Sequence, residues 1–268
     1  MRLWKTVLLV LLAAGLLFVV CGWDYRLKTV VYTVESDEIT TGLRVACITD
    51  LHCCNWGEGQ RKLLDAVDAA APDLVVLVGD ILDDTMPQAQ GYTVLQHLAE
   101  NWPCYYVTGN HDAHQAEDVA AFGITVLDGQ PQEIAVNGQS LQICGISDPR
   151  THGTELFLPR LELLNEHSAP YDSFSLLLAH RPSYIESYLP GGYDLVLSGH
   201  AHGGQWRIPC LLNGLWAPDE GLFPKYAGGF YAMGKTAFIV SRGLAKESTR
   251  VPRLFNPPEL VLVDIVPK

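Results

Sequence analysis

The sequence is short of positive charge. It has 18 Lys and Arg residues against 30 Asp and Glu residues, so its formal net charge is −12. A surface this acidic repels polyanions, which argues against a general nucleic-acid-binding protein. A small phosphate substrate is not excluded, because bound divalent cations reverse the local field.

The chain also lacks internal repeats, low-complexity segments and a Ser/Pro/Gly-rich linker. The first two absences exclude solenoids and disordered arrays. The third leaves no boundary at which the soluble part would divide. With 268 residues, of which 48% are hydrophobic, the chain is long enough to bury a sizeable core.

A disulfide framework is missing as well. Seven cysteines are an odd count without the spacing of a small disulfide scaffold. Cys47, Cys104 and Cys144 lie in apolar runs, which predicts small buried hydrophobic residues. Cys53 and Cys54 offer soft supplementary metal ligands, but we predict that they do not bind the metal. Free thiols suit a reducing habitat or else count against export.

What the chain does have is one long apolar run near its start. Thr6 to Trp23 is an uncharged stretch of 18 residues, at the lower edge of a membrane-spanning helix. No twin-arginine pair precedes it, and the bulky Val20 before Cys21 does not suit a lipoprotein cleavage site. The run predicts an uncleaved membrane anchor over residues 1–24, with a cleaved signal peptide as the alternative.

Charges around this run bear on its orientation. Arg2 and Lys5 favour a cytoplasmic amino terminus, whereas Arg26 and Lys28 lie close on the far side. We therefore predict a single-pass protein of the cell membrane. Its catalytic domain, over residues 25–268, is expected to be extracytoplasmic.

The remaining chain changes pattern halfway along. Apolar runs predict strands, and helical spacing of apolar residues predicts helices. The predicted strands are 28–34, 43–49, 74–78, 104–107, 132–136, 140–145, 174–179, 195–198, 229–233, 236–240 and 260–266, and the helices are 60–71, 90–100 and 155–167. Asn137-Gly138 predicts a hairpin turn. This order favours an α/β fold with two mixed sheets packed together and helices outside.

Polar motifs follow five of these strands. They are Asp50-Leu51-His52, Gly79-Asp80, Gly109-Asn110-His111-Asp112, His180 and Gly199-His200-Ala201-His202. Open α/β sheets place their sites at the carboxyl ends of strands. A lone aspartate there is more often a cap or turn residue, and a lone histidine is more often packed in the core. Five together are hard to obtain as unrelated caps, so they predict one site.

The last motif holds two histidines two residues apart. Alternate side chains of an extended segment point the same way, so we expect both imidazoles to face one site. The neighbouring glycines allow the backbone to bend sharply there.

The side chains of these motifs form a metal-ligand set: Asp50, His52, Asp80, Asn110, His180, His200 and His202. Mixed oxygen and nitrogen donors suit Mn²⁺, Fe²⁺ or Zn²⁺ better than Ca²⁺ or Mg²⁺. Seven donors are too many for one tetrahedral ion and suit two ions that share a carboxylate. His111 is predicted to protonate a leaving oxygen, oriented by Asp112 or another carboxylate.

In order and spacing, these motifs resemble those of the calcineurin-like metallophosphoesterases, over about residues 43–205. The tail, Ser241-Arg242-Gly243-Leu244 and residues 253–260, is similar to a membrane-associated bacterial branch with YkuE-type and YaeI-type enzymes. Some relatives of that branch are similar to UDP-2,3-diacylglucosamine pyrophosphatases. Cys53-Cys54 and Ala245 depart from the usual pattern, but neither removes a ligand.

The resemblance implies a four-layer α/β/β/α sandwich with an N-terminal transmembrane anchor. It implies one ion held by Asp50, His52 and His202. It implies a second held by Asn110, His180 and His200, with Asp80 bridging and His111 as the catalytic histidine.

The predicted activity is therefore dinuclear metal-dependent hydrolysis of a phosphodiester, pyrophosphate or phosphomonoester by a hydroxide shared between the ions. The anchor suggests a lipid-linked or envelope substrate. The alternatives are a non-catalytic scaffold with the same fold and a nuclease acting on short oligonucleotides. Long nucleic acids are disfavoured by charge, and no protein partner is inferable.

Two further features allow a functional and a structural interpretation. Arg150, Arg181 and Arg242 lie near strand ends, where they bind substrate phosphate or form ordinary ion pairs. The aromatic-rich stretch from Trp206 to Tyr231 lines an apolar substrate groove or packs in the core.

Overall fold

The computed structural model describes residues 2–168, 172–246 and 251–268. The α-helices are α1 Arg2–Gly22, α2 Arg61–Ala70, α3 Ala89–Asn101, α4 Ala116–Ala120, α5 Pro149–His152, α6 Thr154–Ser168 and α7 Ile185–Tyr188. The strands are β1 Lys28–Ser36, β2 Leu43–Ile48, β3 Leu74–Val78, β4 Cys104–Val107, β5 Thr125–Val126, β6 Gln132–Val136, β7 Gln139–Ile146, β8 Ser175–Ala179, β9 Leu195–Ser198, β10 Trp216–Ala217, β11 Gly221–Leu222, β12 Gly229–Met233, β13 Thr236–Val240 and β14 Glu259–Pro267.

Two six-stranded mixed sheets contain most of these strands. The first has the order β1-β14-β2-β3-β4-β5, and the second has the order β12-β13-β9-β8-β7-β6. In the first sheet β2 to β5 are parallel, and in the second β7, β8, β9 and β13 are parallel. A separate small hairpin pairs β10 with β11.

The two sheets pack face to face. Their shared core includes Val45 and Val76 from the first sheet with Ile143 and Leu178 from the second. The other face of each sheet is also apolar. Because successive side chains of a strand alternate between the two faces, strands that are covered on both faces are nearly continuous apolar runs.

Helices cover both outer faces. Leu63 and Leu95, from α2 and α3, pack on the outer face of the first sheet. Phe157 and Ile185, from α6 and α7, pack on the second. The molecule is thus layered α/β/β/α, and the predicted fold class is confirmed.

The predicted strands and helices fall within about two residues of the observed ones. The Asn137-Gly138 turn forms the hairpin between β6 and β7, with positive φ at both residues as its tight two-residue geometry requires. The elements that the pattern did not predict are short: α4, α5, α7, β5, β10 and β11.

One described helix, α1, is long and apolar enough to cross a membrane. Its segment Trp4–Gly22 has a mean hydropathy of 2.4 and is 6% buried. A signal sequence near the N-terminus has the same length and apolar composition. Its carboxyl end contacts the domain through Phe255, whose amide donates to the Gly22 carbonyl at 2.7 Å. The Phe255 ring lies 4.8 Å from that of Phe18, centroid to centroid.

Candidate metal centre

Backbone hydrogen bonds bring the five motifs to one edge of the two sheets. The Asp50 amide donates to the Gly79 carbonyl at 3.1 Å, just beyond the ends of β2 and β3. In the second sheet the Gly199 amide donates to the His180 carbonyl at 3.0 Å. The loops after β2, β3, β4, β8 and β9 therefore meet, as the sequence predicted.

Three of the predicted ligands form what we call the first group: Asp50, His52 and His202. One potential ligand atom from each lies within 4.8 Å of the others, and all three residues are buried. His202 Nε2 is 3.6 Å from Asp50 Oδ1. The His52 and His202 rings are stacked, with centroids 5.2 Å apart.

The second group is Asp80, His180 and His200, which meet the same 4.8 Å criterion and are also buried. Asp80 Oδ2 lies 3.2 Å from His180 Nε2 and 3.5 Å from His52 Nε2. Asp80 therefore lies between the two groups.

Four predicted ligands carry a buried polar atom without a hydrogen-bond partner. These atoms are His52 Nε2, Asp80 Oδ2, Asn110 Oδ1 and His180 Nε2. The 3.2 Å approach of Asp80 to His180 lacks hydrogen-bond geometry. Buried polar atoms in folded proteins nearly always have partners, and four such atoms gathered in one cluster could hold a ligand. Carboxylate, amide and imidazole donors fit divalent transition-metal ions.

Three histidines of this cluster are held through their second ring nitrogen. His52 Nδ1 lies 2.8 Å from Asp83 Oδ2, and His180 Nδ1 lies 2.8 Å from the Val78 carbonyl oxygen. His200 Nε2 lies 2.9 Å from Asp219 Oδ2. Metal-binding histidines characteristically have such partners, which fix the ring and leave the other nitrogen for the ion.

His202 has a different neighbour. Nη2 of the buried Arg253 lies 3.5 Å from His202 Nδ1. Burial lowers the pKa of Arg253 to about 10. Burial, together with the positive charges of His52 and Arg253, holds the pKa of His202 well below its usual value.

The pKa of His180 is shifted in the opposite direction. Burial alone would lower it, but the Asp80 carboxylate outweighs burial and raises the pKa to about 10. Burial would likewise raise the pKa of Asp80, and His180 and His52 instead hold it well below its usual range. The Asp80 carboxylate therefore favours positive charge in the second group. In the metal-free protein a proton on His180 carries that charge.

Five of the seven candidates have left-handed backbone conformations. Their φ angles are 50° at Asp50, 49° at His52, 54° at Asp80, 65° at His200 and 47° at His202. Such angles are uncommon outside glycine, and strained residues of this kind cluster at functional sites.

The His200-Ala201-His202 segment is a tight turn rather than an extended one, because the Ala201 and Gly204 amides bond back to the Gly199 and Ala201 carbonyls. The two histidines lie in different groups, which is the division that the family resemblance implies. Gly199 allows this turn to approach β2, since a Cβ there would overlap Thr49 Oγ1.

His111 lies at the mouth of the cluster and is half-buried. Its ring centroid is 5.0 Å from that of His52, and its Nδ1 lies 3.0 Å from Asp84 Oδ1. Asp112 does not orient it, because that carboxylate accepts from the Gly109 and Ile81 amides at 2.6 and 2.8 Å. The carboxylate beside His111 is therefore Asp84.

Sequence reasoning missed four residues of this site: Asp83, Asp84, Asp219 and Arg253. Asp83 and Asp84 follow Asp80 within one loop, so their proximity was a usable signal. Asp219 and Arg253 reach the site from distant loops. No motif marks Asp219, and Arg253 begins the tail segment 253–260, which carried no indication of the metal centre.

Other candidate side chains have ordinary partners. Arg181 pairs with Asp148 and Asp219, and Arg242 pairs with Glu259. The remaining arginine, Arg150, donates from Nη1 to the Asn110 carbonyl at 3.0 Å and is exposed.

The two thiols after the first motif are buried outside both groups. Cys53 Sγ lies 3.4 Å from Gln88 Oε1, and Cys54 Sγ accepts from the Lys246 amide at 3.3 Å. Both are free and buried.

Two mixed sheets with an aspartate-histidine cluster at their common edge define the metallophosphoesterase class. The profile of the calcineurin-like phosphoesterases matches residues 43–204, and the chain belongs to that family. It is a hydrolase that acts on phosphoric ester bonds.

Relatives match over most of the chain. It is 28% identical to the uncharacterised metallophosphoesterase YkuE of Bacillus subtilis, over 94% of this chain and 92% of YkuE. It is 31% identical to the phosphodiesterase YaeI of Escherichia coli, over 73% of this chain and 71% of YaeI. The crystal structure of TT1561 from Thermus thermophilus has the same fold, with a TM-score of 0.52 and 14% identity over 77% of this chain and 92% of that one.

Proposed function

We propose that this chain is a membrane-anchored phosphoesterase that works with two divalent ions. The observation that carries this proposal is the set of four buried polar atoms without partners, on His52, Asp80, Asn110 and His180. Divalent ions held by these residues would lower the pKa of a bound water and would neutralise charge on the attacking and leaving oxygens of a phosphoryl displacement.

In this proposal the first group holds one ion through Asp50, His52 and His202. The other ion is held by Asn110, His180 and His200, and Asp80 is shared. The position of Asp80 Oδ2 between His52 and His180 supports sharing. Mixed nitrogen and oxygen donors favour Mn²⁺, Fe²⁺ or Zn²⁺.

His111 is the proposed acid. Asp84 orients its ring through Nδ1 and stabilises the positive charge that the ring carries when Nε2 delivers a proton to the leaving oxygen. Its half-buried place at the mouth of the cluster gives it access to substrate. The exposed guanidinium of Arg150, tied to the Asn110 carbonyl, is placed to bind a substrate phosphate oxygen.

The substrate proposed is a phosphodiester, pyrophosphate or phosphomonoester carried by a lipid or another envelope component. Its support is α1, which would hold the site close to a bilayer. In the same proposal α1 is an uncleaved single-pass anchor at residues 1–24, and residues 25–268 form an extracytoplasmic catalytic domain.

Two other functions compete with this one. A non-catalytic scaffold has no need for the seven candidate ligands together with His111, all of which are present. A nuclease acting on short oligonucleotides remains compatible with the site, although the net charge of −12 opposes longer chains.

The direct test uses full-length protein in detergent with bis(p-nitrophenyl) phosphate and Mn²⁺, Fe²⁺ or Zn²⁺. We expect metal-dependent hydrolysis. The variant His111→Gln should slow it about 10²-fold or more, and His114→Gln, at an exposed histidine three residues away, should leave it intact. Inactivity with every divalent metal, on this and on nucleotide-sugar lipid substrates, would contradict the proposal. An intact cellular role in a His111→Ala strain would favour the scaffold.

A further inference from the structure

A row of exposed apolar side chains follows the His200-His202 turn. We call it the apolar rim, and its members are Trp206, Ile208, Leu211, Trp216, Leu222 and Phe223. Leu211 is 81% exposed, Leu222 66% and Phe223 65%. Large apolar side chains grouped on a surface mark interaction sites. Core packing, one of the two alternatives for the stretch from Trp206 to Tyr231, therefore does not account for these residues.

Hydrogen bonds hold the rim together as one surface. The Leu215 amide donates to the Trp206 carbonyl at 2.9 Å, and the Phe223 amide donates to the Leu215 carbonyl at 2.8 Å. Trp216 and Leu222 are paired across the small β10–β11 hairpin. Its members are thus presented by ordered backbone.

The rim is continuous with the carboxyl end of α1. The Arg207 amide donates to the Leu254 carbonyl at 3.0 Å, and the next residue, Phe255, packs on Phe18 of α1. Phe255 also lines one cavity with the segment from Arg207 to Asn213. The apolar surface of α1 therefore leads directly to the rim.

The charge of this part of the chain differs from the rest. The rim segment, residues 206–225, contains two basic residues, Arg207 and Lys225, and two acidic residues, Asp219 and Glu220, in a chain with an overall charge of −12. A segment without net charge is not repelled by a surface of anionic lipids, whereas an acidic surface is.

We propose that the apolar rim inserts into the surface of the anionic bilayer that α1 crosses, so that the domain is docked at two places. Tryptophan, leucine and phenylalanine flanked by arginine and lysine are the side chains that enter the interfacial layer of a membrane. Insertion removes their apolar surface from water, which drives docking.

Docking would place the metal centre at the bilayer surface. Asp219, in the turn between β10 and β11, contacts His200, while Trp216 and Leu222 flank that turn in the rim. This consequence rests on the proposed function: the substrate class becomes phosphoesters embedded in the membrane by apolar chains. The docking itself does not depend on catalysis.

Cys210, which is exposed within the rim segment, allows a direct measurement. In a Cys21→Ser chain it is the one exposed thiol, because the other five cysteines are buried. The full-length protein is labelled there with an environment-sensitive fluorophore and reconstituted in vesicles of phosphatidylglycerol and phosphatidylcholine. We expect a blue-shifted emission that loses more than half its intensity to quenchers attached to the lipid chains.

The matched control carries the label elsewhere. Cys210→Ser with Lys235→Cys moves it to the exposed turn between β12 and β13, at the opposite edge of the second sheet. That label should remain unquenched.

Two substitutions test the rim itself. Leu211→Asp with Phe223→Asp should remove most of the quenching at Cys210, whereas Leu156→Asp, at an exposed leucine of α6, should not. The double variant should hydrolyse a water-soluble phosphodiester normally and a vesicle-borne one about tenfold more slowly. If the double variant hydrolyses both substrates normally, while the parent chain shows lipid quenching at Cys210, the substrate class is contradicted and the docking is not.

Unquenched, water-like emission at Cys210 would overturn the docking proposal, whether or not the enzyme is active. Efficient cross-linking of Cys210 between two chains by a bis-maleimide, without lipid quenching, would also overturn it. The rim would then be a contact between copies of this chain.

Discussion

The two halves of the candidate metal centre use the same residue types but differ in the charge that lies beside one histidine of each. In the first group, the buried Arg253 lies directly beside His202. In the second group, Arg181 reaches His200 only through Asp219, which takes up its charge. The first group therefore has a cation next to a candidate ligand with no carboxylate between the two, whereas in the second group Asp219 lies between them.

The difference shows in the pKa values of two equally buried histidines. Burial, His52 and Arg253 keep the pKa of His202 low, while Asp80 raises that of His180 to about 10. We infer that the second group binds its ion more tightly. Neighbouring charge, and not the ligand set alone, would then separate two otherwise similar sites.

The largest expected effect comes from Asp80, which belongs to both halves in this account. Asp80→Asn should lower kcat/KM by at least about 10³-fold, since both ions lose a ligand. Metal analysis should show that both are lost or weakened. Asp118→Asn, at an exposed acid of α4, is the control. Loss of one ion alone, with the other bound normally, would show that Asp80 is not shared.

His111 is the proposed acid and is not among the proposed ligands, so its substitution tests catalysis separately from metal binding. His111→Gln should lower kcat by about 10²-fold or more, because the leaving oxygen loses its acid. Metal content should stay as in the parent chain. A fall in metal content instead would make His111 a ligand.

The two outer carboxylates test the halves individually. Asp83→Asn should weaken binding at the first group and Asp219→Asn at the second, each by about 10- to 100-fold, because each holds one histidine ring. A stepwise metal titration followed by calorimetry resolves the two. If both variants weaken the same step, the division into two groups is wrong.

Proton release on metal binding is the smallest expected effect, and it tests the protonation of the histidines in each group. With its pKa raised to about 10, His180 is protonated at pH 7 in the metal-free protein and must lose that proton to bind an ion. His202, whose pKa is lowered, has none to lose. In the first group the proton belongs to His52, whose pKa burial lowers but the Asp80 carboxylate raises overall. Filling either group should therefore release about one proton. Calorimetry in two buffers of different ionisation enthalpy measures the number of protons released. Because protons are released when the ions bind, binding should become tighter as the pH rises.

How far the sequence predicts the molecule depends on the range of the interactions. Buried strands such as β3 were predictable, because both faces are covered and every residue is apolar. The hairpin β10–β11 was not, because two-residue strands carry no periodic signal.

The same limit applies to the site. The predicted ligands follow strands whose carboxyl ends must meet, so their convergence was foreseeable. The left-handed conformation of His200 and His202 was not, because it depends on close packing of the turn against β2. Nor was Arg253, since arginine is rarely buried and nothing local marks it as such.

The most direct test of the central claim is the number of ions bound by the full-length chain at equilibrium with Mn²⁺. We predict two per chain, bound with unequal affinity, with the tighter step lost in His180→Ala and the weaker step lost in His202→Ala. One ion or none per chain, or two that respond identically to both variants, would contradict the account.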